Sequence, residues 1–251
     1  MNALEKLGTL AQVLRWRMNW NKFDIHYPVP FPENPKFMDA WHAAALVPDN
    51  ANIGISGIGG NQRPAVLYRA IRERFLKTGH PRNLTVIGIG GQGGRGIVPG
   101  TVEELAVEGL NTRLIVSHTE MFKAQQRLAQ EGKLELQCSL LGSVTHIFRA
   151  QAEEGRNYVV REATGAGTFI DPRTGTGTPV ADTGTDQWVE ITEDGKFKYS
   201  LPWIDTAVFA APAADRKGNI YFKHGSVICE AYSIAKAAKR NGGRTLVNVG
   251  V

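Results

Sequence analysis

The chain has 251 residues, of which 42% are hydrophobic and 21% charged, with a net charge of +5. This composition is ordinary for a globular protein and allows one large core or two small ones. It lacks a run of about 18 apolar residues and a signal-peptide pattern, so neither a spanning helix nor secretion is expected. Because no Lys/Arg cluster is interleaved with aromatic residues, we also expect no nucleic-acid partner. A cytoplasmic location follows as an expectation.

The two cysteines, Cys138 and Cys229, are far apart in the sequence. Their spacing argues against a disulfide framework and against a thiolate metal site, and we expect buried structural thiols in a reducing compartment. No two histidines stand at metal-ligand spacing either, so no metal site is predicted. His118 and His146 are interpreted as structural residues in preference to site residues.

The first 42 residues predict an extension that precedes the main domain. Leu4, Leu7 and Leu14 recur at helical spacing within residues 3–18, which predicts an amphipathic helix that docks on the main body or on another chain. Four prolines in residues 24–35 predict an extended strap, since proline fixes φ and restricts the preceding residue. We therefore divide the chain into an extension, 1–42, and a main domain, 43–251.

The main domain opens with a βαβ pattern. A predicted strand at 52–56 is followed by a glycine loop and by a helix that starts near Pro64 and stops before Gly79. The next predicted strand covers 84–89. Strand, helix and strand within about 40 residues imply a parallel pair.

This alternation continues to the C-terminus. Further strands are predicted at 113–116, 134–139, 206–210 and 245–249, and further helices at 101–110, 117–130 and 226–240. Thr101 and Glu104, and likewise Ser117 and Glu120, have capping-box spacing at the starts of two of these helices. The pattern predicts an α/β fold with an open, mostly parallel sheet and helices on both faces.

Two segments between the predicted elements are read as loops. Residues 163–187 are rich in threonine and glycine, and a structureless loop of this length is usually functional or mobile. Residues 215–219, Asp-Arg-Lys-Gly-Asn, favour a tight turn between strands over a catalytic role.

Two glycine-rich loops are the strongest functional signal from the residues themselves. Gly57-Ile58-Gly59-Gly60 and the loop from Gly88 to Gly94 each follow a predicted strand, so bare backbone N–H groups come to the carboxyl edge of the sheet, where open α/β sheets bind ligands. The second loop satisfies G-x-G-x-x-G. A dinucleotide site is disfavoured, however, because no helix follows directly and no acidic residue ends the next strand.

The chain shows no self-sufficient catalytic set. It contains no nucleophile elbow, no zinc-protease motif and no phosphate-loop lysine. This suggests that it supplies only half of a site. The small basic excess would suit a phosphate-bearing ligand, although a solvated basic surface explains it as well.

Five segments in order resemble the N-terminal, or α, half of family I CoA-transferases of the acetate/propionate and 3-ketoacid type. They are Gly57–Gly60, Pro81–Thr85, Gly94–Ile97, Gly165–Arg173 and Asp215–Ile220. The run Gly-Thr-Phe-Ile-Asp-Pro-Arg is the most specific of them. The likeness covers residues 45 to 251 and implies the α-domain fold of that family.

The resemblance implies a function in fatty acid or ketoacid metabolism. In this family a glutamate carboxylate attacks the acyl-CoA and passes through an anhydride to a glutamyl-CoA thioester. That glutamate belongs to the C-terminal, or β, half, so no catalytic residue is assigned to this chain. A β subunit is implied as partner, in an α2β2 or higher heteromer. The CoA thioester is a substrate, and no cofactor is expected.

The resemblance also implies which residues contact substrate. Glycine loops suit a site where backbone N–H groups stabilise an oxyanion. The implied substrate-binding residues are Gly57, Gly59, Gly60, Gly90, Gly91, Gln92, Leu141, Gly142, Gly167 and Thr168.

One departure from the family lies at residues 140–142. Family members usually carry Pro-Gln-Gly there, whereas this chain has Leu-Leu-Gly. Leu141 cannot hydrogen-bond, so either Gln92 substitutes, or the acyl group is more apolar than acetate, or the chemistry has changed. The alternatives are a hydrolase-type relative with a bulkier or cyclic acyl-CoA and a non-catalytic binding subunit. Leu141 could also be plain core.

Overall fold

The computed structural model describes residues 3–18, 25–180 and 186–249. The helices are α1 (Ala3–Met18), α2 (Ala40–Ala44), α3 (Ala65–Thr78), α4 (Lys123–Gln130), α5 (Leu141–Glu153) and α6 (Ala231–Arg240). The strands are β1 (Asn52–Ile55), β2 (Leu84–Gly88), β3 (Asn111–Val116), β4 (Glu135–Cys138), β5 (Tyr158–Arg161), β6 (Val189–Ile191), β7 (Phe197–Ser200), β8 (Thr206–Ala211), β9 (Ala213–Ala214), β10 (Ile220–Tyr221) and β11 (Arg244–Val249). No helix in these ranges is long and apolar enough to cross a membrane.

Six strands form one parallel sheet in the order β11-β8-β1-β2-β3-β4. The sheet confirms the predicted α/β class, and β1-α3-β2 confirms the predicted βαβ unit. In the described residues, antiparallel pairing occurs in a small sheet, β5-β7-β6, in the β9-β10 hairpin and at an isolated bridge between Gln137 and Pro179. The hairpin turn at 215–219 is the one the sequence predicts, with the Asp215 carboxylate accepting from the backbone of Lys217 and Asn219.

The sheet buries both faces. On one face, α2 and α3 pack through residues such as Ala44 and Ile71. On the other, α5 and α6 pack through Phe148 and Ile234 against Ile87 and Ile115. Both faces need apolar residues, which explains why the strands are apolar runs with little alternation.

The prediction of a helix at 101–110 is wrong. Only a 3-10 turn forms, over Val102–Leu105. Thr101 does cap it by accepting from Glu103 N–H, but the capping-box partner Glu104 turns instead to Gly100 N–H and to Arg69. Glu103 is drawn inward too, where its carboxylate accepts hydrogen bonds from Gly94, Gly96 and Ala124 N–H. These tertiary bonds replace the first turns of a longer helix.

The capping box predicted at Ser117 is also wrong. The Ser117 hydroxyl has no hydrogen-bond partner in the described chain. A 3-10 turn at Thr119–Met121 intervenes, and α4 begins only at Lys123, although it ends at the predicted Gln130.

The last helix begins five residues later than predicted, at Ala231 instead of Ser226. Cys229 has a φ of 46°, in the left-handed region that a helix cannot continue through. Cys229 therefore lies outside the helix, and both thiols are half-buried, not fully buried as expected. The sequence reading also missed α5 and the β5-β7-β6 sheet.

The extension behaves partly as predicted. Helix α1 covers 3–18 and exposes Leu4, Leu7 and Leu14. The described part of the strap, residues 25–35, holds no helix or strand, while residue 24 lies outside the described ranges. The short helix α2 crosses the proposed boundary at 42/43 and packs in the core with Ala40 and Ala44 buried. That boundary remains a prediction.

We predict that Glu103→Gln lowers the free energy of unfolding by about 2 kcal/mol or more. The amide keeps one acceptor oxygen and brings an NH2 group toward backbone donors, so charge-assisted bonds are lost in a buried place. Urea unfolding of both proteins measures the difference.

The matched control for that substitution is Glu108→Gln, since Glu108 is an exposed glutamate paired with Lys133. It should change stability by less than about 0.5 kcal/mol. Equal effects at the two positions would show that Glu103 does not hold the loop.

Candidate active site

The loops after β1 and β2 contact each other backbone to backbone at the carboxyl edge. Gly60 N–H donates to Gly91 O at 3.0 Å. A Cβ on Gly91, which has a φ of 77°, would lie 2.6 Å from Gly59 N. The close approach and the positive φ both require glycine at 91. The predicted substrate-binding glycines of the two loops are thus brought together.

Gln92 and Gly57 lie inside this contact. A Cβ on Gly57 would collide with Nε2 of Gln92. The buried Gln92 amide accepts from Tyr68 OH at 3.3 Å and donates to Asn61 O at 3.4 Å. Burial raises the pKa of Tyr68, so its hydroxyl stays a donor. Gln92 therefore ties both loops to α3, and its polar atoms are used within the chain.

Arg63 is a cation in this cluster that sequence reasoning missed. Its Nη2 donates to Gly93 O at 2.6 Å, and the guanidinium would lie 3.3 Å from a Cβ on Gly60. Burial lowers the pKa of Arg63, without bringing it near neutrality. The only sequence signal was its position between the glycine loop and Pro64.

Gly90 lies against the end of β3. A Cβ on Gly90, at a φ of 115°, would approach the Cβ of His118 to 3.1 Å. His118 itself is exposed, 3.6 Å from Glu120. His146 lies elsewhere, on a shallow surface pocket with Arg149 and Arg161, and burial lowers its pKa. In the described ranges, no group of three metal-ligating side chains occurs.

Leu141 and Gly142 form the start of α5, directly beyond β4. Leu141 is 51% exposed, so the alternative that it is plain core is wrong. Gly142 is exposed too, and a Cβ there would have no neighbour within 4 Å. Helix α5 therefore presents its first turn, with its free N–H groups, at the same edge as the glycine loops.

Gly167 and Thr168 belong to a loop that Asp171 holds. Gly167 N–H donates to Asp171 Oδ2 at 2.9 Å, and Thr168 Oγ1 donates to Gly165 O at 2.6 Å. The Arg173 guanidinium, 2.8 Å away, holds the pKa of the Asp171 carboxyl well below its usual range. A Cβ on Gly165 would lie 3.4 Å from Leu140, which places this loop beside the start of α5.

Three serines complete the edge, and the sequence reading did not single them out. Ser56, Ser117 and Ser139 each come directly after a strand, and their buried hydroxyls have no partner in the described chain. We call them the serine row. Strands β1, β2, β3 and β4 are in register at Gly54, Ile87, Ile115 and Gln137. The residues two positions further along each strand, which include the serine row, therefore also line up. A serine immediately after an apolar strand was the available signal.

The edge therefore offers backbone N–H groups, orphan hydroxyls and one arginine. Such groups can orient an acyl group and stabilise a developing oxyanion. They do not include a nucleophile paired with a base in the described part of the chain.

The comparisons with known proteins agree with this geometry. No family model matches the chain. It is 31% identical over 220 residues to caffeate CoA-transferase of Acetobacterium woodii and 29% identical over 218 residues to acetate CoA-transferase YdiF of Escherichia coli K12. The chain is a homologue of the CoA-transferases.

Solved structures support the same relationship. The apoenzyme of the acyl-CoA transferase YdiF from E. coli O157:H7 superposes with a TM-score of 0.78 at 25% identity, over 90% of this chain and 42% of that one. Glutaconate CoA-transferase of Acidaminococcus fermentans shares the fold, with a TM-score of 0.59 at 20% identity over 84% of this chain and 66% of that one. The resemblance and the fold predicted from the sequence are thereby confirmed.

The chain spans less than half of the length of the curated relatives that it matches. The matches include 85% and 84% of this chain but 40% of each curated relative. The remaining 60% of those proteins has no counterpart in it.

We predict that Gly91→Ala separates the two glycine loops. The added Cβ meets Gly59 N at 2.6 Å, and backbone cannot yield as a flexible side chain does. Thermal unfolding should show a loss of about 1–3 kcal/mol. Gly142→Ala is the control, because its Cβ enters open space at a helix start and should leave stability equal or higher. Equal melting temperatures of Gly91→Ala and wild type would contradict the contact.

Proposed function

We propose that this chain is the α-type half of an acyl-CoA:carboxylate CoA-transferase whose active site is completed by a second half. The observation that carries the proposal is the 31% identity to a CoA-transferase over 85% of this chain but only 40% of that protein. A domain that matches well over its own length, yet lacks a nucleophile paired with a base in its described part, fits one partner of a shared site.

In the proposed reaction, the nucleophile is a glutamate of the second half. Its carboxylate oxygen attacks the thioester carbonyl and the C–S bond breaks. CoA departs as the thiolate, and a mixed anhydride of the acyl group and the glutamate remains. The thiolate then attacks the glutamyl carbonyl, which releases the first acid and leaves a glutamyl-CoA thioester. The carboxylate of a second acid then attacks the glutamyl-CoA thioester, the same steps run in reverse, and the second acid leaves as its acyl-CoA. One of the solved YdiF structures is itself described as a thioester complex with CoA.

This chain's proposed part is binding and electrostatics. Each step places negative charge on a carbonyl oxygen, and N–H groups fixed before the reaction stabilise such charge without reorganising. The first turn of α5 at Leu141 and Gly142 lies at the carboxyl edge, as do the glycine loops. We propose an α2β2 or higher heteromer, or a fused chain, acting in the cytoplasm with the CoA thioester as substrate.

We predict that the chain by itself does not transfer CoA and that assembly with the second half restores transfer. The assay follows propionyl-CoA consumption with acetate and caffeate as acceptors, because these are the acids in the relatives' names. A control assembly carries glutamine in place of the second half's reacting glutamate. Turnover by the purified chain alone would sink the proposal.

Leu141 is expected to set acid preference. Because the side chain is half exposed at the edge, Leu141→Gln should leave the melting temperature within about 1 °C and shift kcat/KM toward acetate over caffeate by about tenfold, or 1.4 kcal/mol. Leu76→Gln, on an exposed position of α3 away from the edge, is the control. An unchanged ratio with Leu141→Gln would remove this residue from the acyl pocket.

A further inference from the structure

Glu230 is a buried carboxyl group at the start of α6. The residue is only 9% exposed. Its Oε1 accepts a hydrogen bond from Thr145 Oγ1 of α5 at 3.2 Å. Its Oε2 is buried and has no hydrogen-bond partner in the described chain. A carboxyl oxygen in this situation is costly unless something else binds it.

The position of Glu230 is at the proposed site. The preceding residue, Cys229, lies near the backbone N–H of Gly57, the first residue of the glycine loop after β1. Helices α5 and α6 both begin at this edge, and the Thr145–Glu230 bond joins their first turns. Ser56, one member of the serine row, immediately precedes Gly57. Orphan oxygens from α6 and from the serine row thus face the same edge.

The other buried glutamates show that the orphan oxygen is not a general feature of this fold. Glu103 and Glu104 are each 1% exposed. Glu103 accepts from three backbone N–H groups, and Glu104 is close to Arg69 and Arg72. Within the described residues, Glu230 has the Thr145 hydroxyl on its Oε1 and its own backbone N–H nearby, and no cation pairs with it. Its neighbour Cys229 has a left-handed φ, a strained conformation for a residue with a side chain. Such costs concentrated in one place are typical of functional sites.

Burial raises the pKa of Glu230. In the described residues, the polar groups close to it are the Thr145 hydroxyl from α5, its own backbone N–H and the Cys229 thiol. The nearest ion pair between the two helices, Glu153 with Lys236, lies toward their other ends. When Glu230 holds a proton, its free oxygen can act as a donor.

We propose that Oε2 of Glu230 hydrogen-bonds a carboxylate oxygen of the acid that exchanges CoA. The inference rests on the proposed transferase function and names a substrate-binding residue within it. A hydrogen bond between two carboxyl groups needs one shared proton, which Glu230 supplies. The bound acid would thereby satisfy an oxygen that the chain itself leaves unpaired.

The first test measures the state of Glu230 without turnover. A carboxyl whose folded pKa is raised destabilises the fold as pH rises above its unfolded value near 4.3. Glu230→Gln removes this penalty, so its melting temperature should exceed that of wild type at pH 8, and the gain should vanish by pH 4. Glu153→Gln, which alters an exposed ion pair on α5, should show no such gain. A lower melting temperature of Glu230→Gln at pH 8 would mean that the carboxylate is satisfied within the chain and would overturn the proposal.

The second test measures carboxylate binding in the assembled protein. Sodium acetate, compared with sodium chloride at equal ionic strength, should raise the melting temperature of wild type and of Glu230→Gln, whose amide still donates. It should not raise that of Glu230→Ala. Equal acetate shifts in wild type and Glu230→Ala, or no shift in wild type, would overturn the proposal.

Kinetics separate this inference from the proposed function. Glu230→Ala should raise KM for acetate and caffeate by about tenfold, with KM for propionyl-CoA within twofold, and the conservative Glu230→Gln should rescue most of that loss. An unchanged acid KM in Glu230→Ala would overturn the role of Glu230. Absence of transfer by wild type, with the acetate shift lost only in Glu230→Ala, would refute the proposed function and leave a carboxylate site at Glu230.

Discussion

The contact between Gly60 and Gly91 is the constraint on which the candidate site depends. Two loops from neighbouring parallel strands can approach to a backbone hydrogen bond only if side chains are absent between them. Once they do, the buried Gln92 amide can reach Tyr68 and Asn61, and Gly57 N–H can reach Cys229. The contact thus joins one face of the sheet, through α3, to the other, through α6. Glycine here is a packing requirement as much as a route for ligand approach.

The buried polar groups around this contact fall into two kinds. Glu103 and Gln92 have their oxygens satisfied by the chain, and they fix the shape of the second glycine loop. The serine row and Oε2 of Glu230 are buried near the same edge without partners. An unpaired buried polar atom weakens a fold, whereas a satisfied one specifies it. The first kind therefore explains the architecture, and the second marks where binding can take place.

The sequence allowed the sheet to be predicted because its signals are local. Apolar runs, Pro64 before a helix and Gly79 after it each act within a few residues. The sequence did not allow us to predict which tertiary contacts the polar side chains make. Glu104 has the spacing of a cap but turns to Gly100 and Arg69, and the Ser117 hydroxyl, with the same spacing, has no hydrogen-bond partner among the described residues. The sequence pattern predicted Glu230 inside a helix. In the structure, the left-handed φ of Cys229 makes the helix start after Glu230.

The edge also exposes more apolar surface than an isolated domain needs. Large side chains project from several of its loops: Ile58 after β1, Ile97 after β2, Leu141 after β4 and Phe169 beside Gly167. Each of these side chains belongs to a different loop, so one short stretch of sequence does not explain all of them. Apolar residues that gather around polar, unsatisfied atoms are typical of a surface that another surface covers, because the cover would both exclude water and supply partners. The relatives, 60% of whose length has no counterpart here, are long enough to provide such a cover, and this supports the proposal that chemistry begins only when the second half is in place.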